Sequence, residues 1–332
     1  VAFARRRAGA RGDEDEATTR QRLRGADVRF GDVTSRESIA CEAFRGERFD
    51  AVFSCLASRN GAPGDAWAIE RDANLNVLRV AQDAAVPHFV LLSAICVQRP
   101  KLEFQRAKLE FERHLAASGL TYSIVRPTAF FKSLAGQVDK VKEGKPFSVF
   151  GDGELTACKP ISDRDLSRFL ADCLHDRTKH DAILPIGGPG PALTPNAIGR
   201  ILFDLAGRPP RFRRVPVAVL DLVVALLRFG AKLLPTLRDP AETACILRYY
   251  ATESMLVFDH SIDAYSADDT PSYGQDTLRA FFAHVLERGL DGHELGAHAV
   301  FAKPPPASTD IHVDPAPPTP PYAPDPRNSL LV

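Results

Sequence analysis

No cysteine pair spaced C-x-x-C and no H-x-x-x-H or H-E-x-x-H arrangement occurs in the 332 residues, so neither a zinc ribbon, an iron–sulfur cluster nor a protein-held metal is expected. The six cysteines (Cys41, Cys55, Cys96, Cys158, Cys173, Cys245) are scattered, several in apolar runs, and read as buried free thiols of a reducing compartment. Neither charge is in excess: Lys+Arg and Asp+Glu both total 42, so no basic field points to nucleic acid. A membrane span needs about 20 predominantly apolar residues. The most apolar stretch, 215–234, carries Asp221, Arg228 and Lys232, and reads first as a packed amphipathic helix, second as a membrane-surface contact. An initiator methionine is also absent, the only methionine being Met255, and "VAFA" at residues 1 to 4 reads as a strand already in progress. An N-terminally incomplete product is therefore expected. No Gly-rich turn precedes that strand, so the backbone amides that meet a pyrophosphate at a helix N-terminus are not in evidence. The "GGPG" at 187–190 comes too late for that role and reads as a turn.

What is present is a long alternation. The runs "VAFA", "DVRF", "AVFSCLAS", "HFVLLSAI" and "TYSIVRP" are separated by charged stretches of helical period. Such alternation predicts right-handed crossovers and an α/β, doubly wound, Rossmann-like parallel sheet buried on both faces. Ligands of such sheets lie at the carboxyl ends of the strands. Residues 1–133 read as this nucleotide-binding core and 134–296 as its remaining strands with a substrate region. In the second part a strand, a "GDG" turn, a second strand and a helix opened by "SDRD" are expected, followed by a capped helix at "LTPNAIGRILFDLAG". Residues 297–332 are proline-rich and read as a disordered tail.

The stretch 88–131 carries the chemistry. An apolar run from His88 to Val97 reads as a buried strand ending near Ser93, and a helix follows from about Lys101 to Ala117, with Phe104, Lys108, Phe111 and Leu115 on one face. This arrangement resembles the short-chain dehydrogenases, whose Tyr-x-x-x-Lys pair sits one helical turn apart so that the lysine holds the nicotinamide ribose and lowers the tyrosine pKa. Here the turn reads "FQRAK", with Phe104 in the tyrosine place. Phenylalanine has no proton to donate, which argues against ordinary alcohol/ketone chemistry.

The blocks "VFSCLASRNG", "HFVLLSAICVQRPKLEFQRAKL", "YSIVRPTAFFKSL", "LPIGGPGPALTP", "RYYATESMLVFD" and "TPSYGQDTLRAFF" together resemble the divinyl chlorophyllide 8-vinyl-reductases. These are atypical short-chain dehydrogenases, beside the NmrA-like and isoflavone-reductase-like groups. The resemblance runs to about residue 296 and implies an NADPH-dependent chloroplast oxidoreductase of chlorophyll biosynthesis acting on a tetrapyrrole, which brings its own magnesium. A vinyl group conjugated to a macrocycle accepts hydride at its terminal carbon without a carbonyl-polarising tyrosine, which makes Phe104 intelligible.

On this reading Lys108 holds the ribose and relays a proton, with Ser93 beside it as a second catalytic candidate. Arg5 and Arg7, after the first strand, suit an adenosine 2′-phosphate. Asp32 and Val33 fall where related folds hold adenine, with a helix-cap role as the competing reading of Asp32. Leu56, Ala57 and Ser58 let backbone approach the cofactor, and Pro127 and Thr128, after Arg126, approach the nicotinamide. Phe130 and Phe131 are placed to stack on a flat macrocycle, and Lys132 to meet its propionate. The competing readings are a non-catalytic nucleotide sensor or assembly factor on the same scaffold, and an inert truncated product.

Overall fold

The computed structural model describes residues 1–7 and 14–290; the expected tail at 297–332 lies outside the described residues. The apolar runs form parallel strands: β1 (Ala2–Ala4), β2 (Val28–Phe30), β3 (Ala51–Ser54), β4 (His88–Leu92) and β5 (Thr121–Pro127). After β6 (Phe147–Phe150) comes β7 (Ala182–Ile186), and β3-β4-β5-β7 make one four-stranded sheet. β1 pairs only with β2, in parallel register, yet the two ladders share one core, because Phe3 packs into the cluster built from Ile39, Leu78, Phe89 and Phe111.

Side chains alternate across the sheet as a period of two requires. Phe89, Leu91 and Ile124 join Phe111 and Leu115 of α1 (Glu103–Ala116) on one face, whereas Val90 and Val125 join Leu166, Phe169 and Cys173 of α2 (Asp163–His175) on the other. Ser162 caps α2, its hydroxyl accepting the Asp165 N–H at 2.9 Å. The parallel sheet is thus covered on both sides, as expected of a doubly wound fold.

The second part adds α3 (Pro195–Leu205), capped by Thr194, and β8 (Phe212–Val215), which pairs with β6. Then follow α4 (Val217–Leu233), α5 (Arg238–Thr252), the antiparallel pair β9 (Val257–Asp259) and β10 (Ala264–Ser266), and α6 (Leu278–Arg288). Phe147, Val149, Leu202, Phe203 and Phe282 form the core of this part.

Three details correct the sequence reading, after a strand end that falls within one residue of its expected place. The strand of the 88–97 run stops at Leu92, and Ile95–Gln98 turns as a 3₁₀ segment beneath the ligand side of the sheet. The strand expected after "GDG" shrinks to isolated bridges of Cys158 with Leu193 and Met255, since Pro160 offers no N–H to continue a ladder. Of the cysteines only Cys96, Cys158 and Cys173 are buried, with burial pushing their thiols up to about 11, 12 and 11, while Cys41 and Cys55 are exposed. Helix α4 buries only Leu220 and Val224 and leaves most of its apolar side chains exposed. The "GGPG" segment does turn: Gly188 passes so close to Pro160 that an added Cβ would lie 2.0 Å from its carbonyl oxygen.

Candidate functional site

The carboxyl ends of β3, β4 and β5 open into a cavity of 510 Å³, within the range that holds a cofactor or drug-sized ligand. Leu56, Ala57, Ser58, Ser93, Pro127 and Thr128 line it from the strand ends, and Phe104 and Lys108 from α1. Across from them stand side chains of the second part, among them Phe147, Phe150, Ile198, Tyr250, Glu253 and Met255.

Lys108 is nearly buried, and its Nζ lies 2.6 Å from Oε2 of Glu70, a carboxylate only 2% exposed. Glu70 sits in a wide, π-helical stretch, Trp67–Ala73, an irregularity that recurs at functional sites because it re-aims one side chain. Its other oxygen accepts from the Ser58 N–H at 2.9 Å and the Ser58 hydroxyl at 3.0 Å. One buried carboxylate therefore ties the β3 loop to the α1 lysine. An ammonium has three N–H bonds, and the close pair with Glu70 Oε2 engages one side of it, which leaves donors to meet a ligand.

The Ser93 hydroxyl donates to Glu112 Oε1 at 2.5 Å, and Arg126 grips the same buried carboxylate through Nε at 3.1 Å and through a second guanidinium nitrogen. Thr128 donates to the Lys159 carbonyl. Phe130 and Lys132 reach the cavity, with Lys132 Nζ 3.3 Å from Asp163 and 5.7 Å from the centroid of Phe130. Phe131 does not. It turns inward, 4% exposed, with its ring 5.6 Å from Phe281, because the segment Phe131–Gln137 coils at once into a 3₁₀ turn that buries Phe131 together with Ala135 and Gln137.

Arg5 and Asp32 lie apart from this cavity, in a smaller hollow of 320 Å³ shared with Arg6, Gly31, Ser38 and Glu42. The Asp32 carboxylate accepts from the Thr34 N–H at 2.8 Å and the Thr34 hydroxyl at 2.7 Å, a local turn that uses the side chain structurally. Arg7 and Val33 do not line either hollow; Arg7 is exposed and Val33 is half-buried beside the turn.

Three cavity residues, and Glu112 behind Ser93, have no signal in local spacing. Glu70 lies in a stretch with no motif, and Glu112 reads as one of several helix carboxylates. Tyr250 and Glu253 arrive from the far end of the chain. Burial pushes Glu253 upward, but hydrogen bonds from Lys101 and Tyr265 and the charge of Arg99 hold it below the usual carboxylate value. Burial raises the Tyr250 phenol well above its ordinary value. Among the described residues, no group of three or more His, Cys, Asp or Glu side chains could hold a metal ion.

The donors present fit a dinucleotide: an ammonium with unused N–H bonds at the strand ends, small residues where backbone must approach, and cations at the end of β1. The NAD(P)H-binding family matches residues 4–177. Divinyl chlorophyllide a 8-vinyl-reductase, chloroplastic, of Cucumis sativus is 50% identical over 309 residues, covering 91% of this chain and 73% of that protein. The enzyme of the same name from Arabidopsis thaliana is 51% identical over 303 residues, covering 89% and 73%. In fold, the chain is similar to an NADPH-dependent quinone oxidoreductase of Escherichia coli solved with NADPH: TM-score 0.56, 16% identity, covering 82% of this chain and 88% of that one.

Proposed function

The chain belongs to the divinyl chlorophyllide a 8-vinyl-reductases, and from that premise we propose that it reduces the 8-vinyl group of divinyl chlorophyllide or protochlorophyllide to ethyl in the chloroplast, with NADPH as reductant. The observation that carries this reading is the cavity wall on α1, where Lys108 is kept and Phe104 stands one turn before it. That wall retains a cation for the cofactor ribose and has no phenol to polarise a carbonyl, which suits a carbon–carbon double bond. NADPH, when bound, supplies the hydride. Lys108, fixed by Glu70, orients the ribose; Ser58 and its neighbours let backbone approach; Phe130 offers a ring face to the macrocycle and Lys132 a cation to its propionate. Arg5 meets the 2′-phosphate from the smaller hollow. Residues from Phe147 onward shape the substrate side.

The test is incubation of the purified protein with divinyl protochlorophyllide and NADPH, followed by mass spectrometry for the gain of two hydrogen atoms. Absence of that product overturns the reading. Arg5→Glu sharpens it: NADPH affinity by calorimetry should fall at least tenfold more than NADH affinity, and an equal loss would make Arg5 structural only.

We also propose that α4 rests on an anionic membrane surface. Val219, Leu222, Leu226, Phe229 and Leu233 recur at helical spacing on its outer face, with Leu226, Phe229 and Leu233 at 63%, 66% and 71% exposure. Arg211, Arg213 and Arg214 precede the helix, Arg228 and Lys232 lie within it and Arg238 follows it, all exposed, and the one carboxylate within α4, Asp221, is paired with Arg248 at 2.5 Å. An apolar face with a cationic rim suits lipid headgroups better than a second copy of itself. Among the described residues no helix is long and apolar enough to cross a membrane. Co-sedimentation with anionic but not neutral vesicles, abolished by Phe229→Glu, is expected. Binding to neither vesicle, or a dimer broken by the same substitution, would refute it.

A further inference from the structure

We propose that Tyr250 is the catalytic acid of this reaction, delivering the proton that completes the ethyl group from the wall opposite the strand ends. The proposal rests on the vinyl-reductase reading above. Helix α5 packs against α1 through Ile246 and Tyr249, which join Phe104 and Cys96 in one apolar cluster. That packing sets the next residue, Tyr250, in the lining of the cavity that Lys108, Glu70 and Phe104 also line. A phenol is thus present in the cavity, supplied by α5 rather than by the α1 turn that lost it.

Competing donors near Lys108 are already engaged. The hydroxyl of Ser58 donates to Glu70 at 3.0 Å, that of Ser93 to Glu112 at 2.5 Å, and that of Thr128 to the Lys159 carbonyl. Lys108 itself is paired with Glu70 and, on the reading above, holds the cofactor ribose. Tyr250 instead packs against the apolar cluster that holds Cys96, and a thiol is a weak partner that gives way to a ligand. Its ring is fixed edge-on to Tyr249 at 5.6 Å, and Tyr249 in turn donates to the Cys96 carbonyl at 3.2 Å. Burial keeps the phenol protonated, so it enters each turnover with its proton in place.

The step balances as follows. Hydride from NADPH forms a C–H bond at the terminal vinyl carbon, and the vinyl π pair moves onto the inner carbon and the conjugated macrocycle. The Tyr250 O–H bond then breaks, its proton forms the C–H bond at the inner carbon, and the phenolate left behind is reprotonated by water. The sum is vinyl plus NADPH plus one proton giving ethyl plus NADP⁺.

Tyr250→Phe removes only the hydroxyl. Its kcat should fall about 100-fold, the scale of lost general-acid assistance, with KM changed less than threefold. Binding of divinyl protochlorophyllide to the cofactor-free variant, read by fluorescence quenching, should match the parent protein. Tyr249→Phe, one residue away, should keep kcat within threefold. A Tyr250→Phe kcat within threefold of the parent, a binding loss as large as the kcat loss, or an equal loss in Tyr249→Phe would each overturn the proposal. A parent protein that does not reduce the vinyl group would overturn the functional reading instead.

Discussion

The same strands end in two different chemistries. At their carboxyl ends β3, β4 and β5 run into Ser58, Ser93 and Thr128, each hydroxyl tied to a buried acceptor, with the Lys108–Glu70 pair set between them. Toward their amino ends, His88 opens β4 and Ser123 is the third residue of β5; their side chains meet at 3.0 Å, and His180 lies against His88 with ring centroids 4.6 Å apart. Here Ser123 donates to the Lys179 carbonyl, and burial, reinforced by His180, holds the His88 imidazole below its ordinary pKa and neutral. The apolar middle of the sheet is common to both ends. Charge is buried at one end and excluded from the other, as expected where ligands dock only at the carboxyl ends of a parallel sheet.

Breaking the carboxyl end should cost most. Lys108→Met keeps the length of the side chain and removes its charge, so kcat/KM should fall about 100-fold. It also leaves Glu70 buried without its partner, a loss usually worth about 3–5 kcal/mol of stability. The double substitution Lys108→Met with Glu70→Gln should recover most of that stability in urea unfolding and none of the activity. Recovery of both would show that the lysine only keeps the wall in shape.

Phe104→Tyr makes a smaller change at the same end. It recreates a tyrosine one turn before Lys108, but a vinyl carbon leaves that hydroxyl no oxyanion to protonate. Turnover should stay within about tenfold, or about 1.4 kcal/mol in the barrier. A large gain would point to carbonyl chemistry.

How much of this contrast was legible depends on the distance over which each contact forms. The strands were legible because burial on both faces demands continuous apolar runs, and Lys108 because a helical period fixes which face it shares with Phe104. Glu70, Tyr250 and Glu253 were not, because their place in the cavity follows from tertiary packing of a π-helical turn and of α5. Phe130 and Phe131 illustrate the limit at closest range. Adjacent aromatics after a strand look alike in sequence, and only the 3₁₀ turn beginning at Phe131 sends one to the cavity and the other to the core.

The smallest effect belongs to the amino end. The His88 pKa is lowered in the folded protein, first by burial and then by His180, with Asp181 opposing. A base of this kind binds protons more readily when unfolded, so its contribution is intact above its unfolded value of about 6.5 and declines as pH falls below it. Stability should therefore drop between pH 7 and pH 5 with a slope to which His88 contributes. His88→Gln has no proton to gain in that window and retains a polar atom for Ser123, so its melting temperature should change less over the same interval. Its vinyl-reductase activity at pH 8 should stay within about twofold of the parent, since a change of that size is below 1 kcal/mol in the barrier. Thermal melts at both pH values, paired with the activity assay, separate the two ends. An unchanged slope would mean that His88 does not set the pH response, and a large activity loss would mean that the two ends of the sheet are not independent.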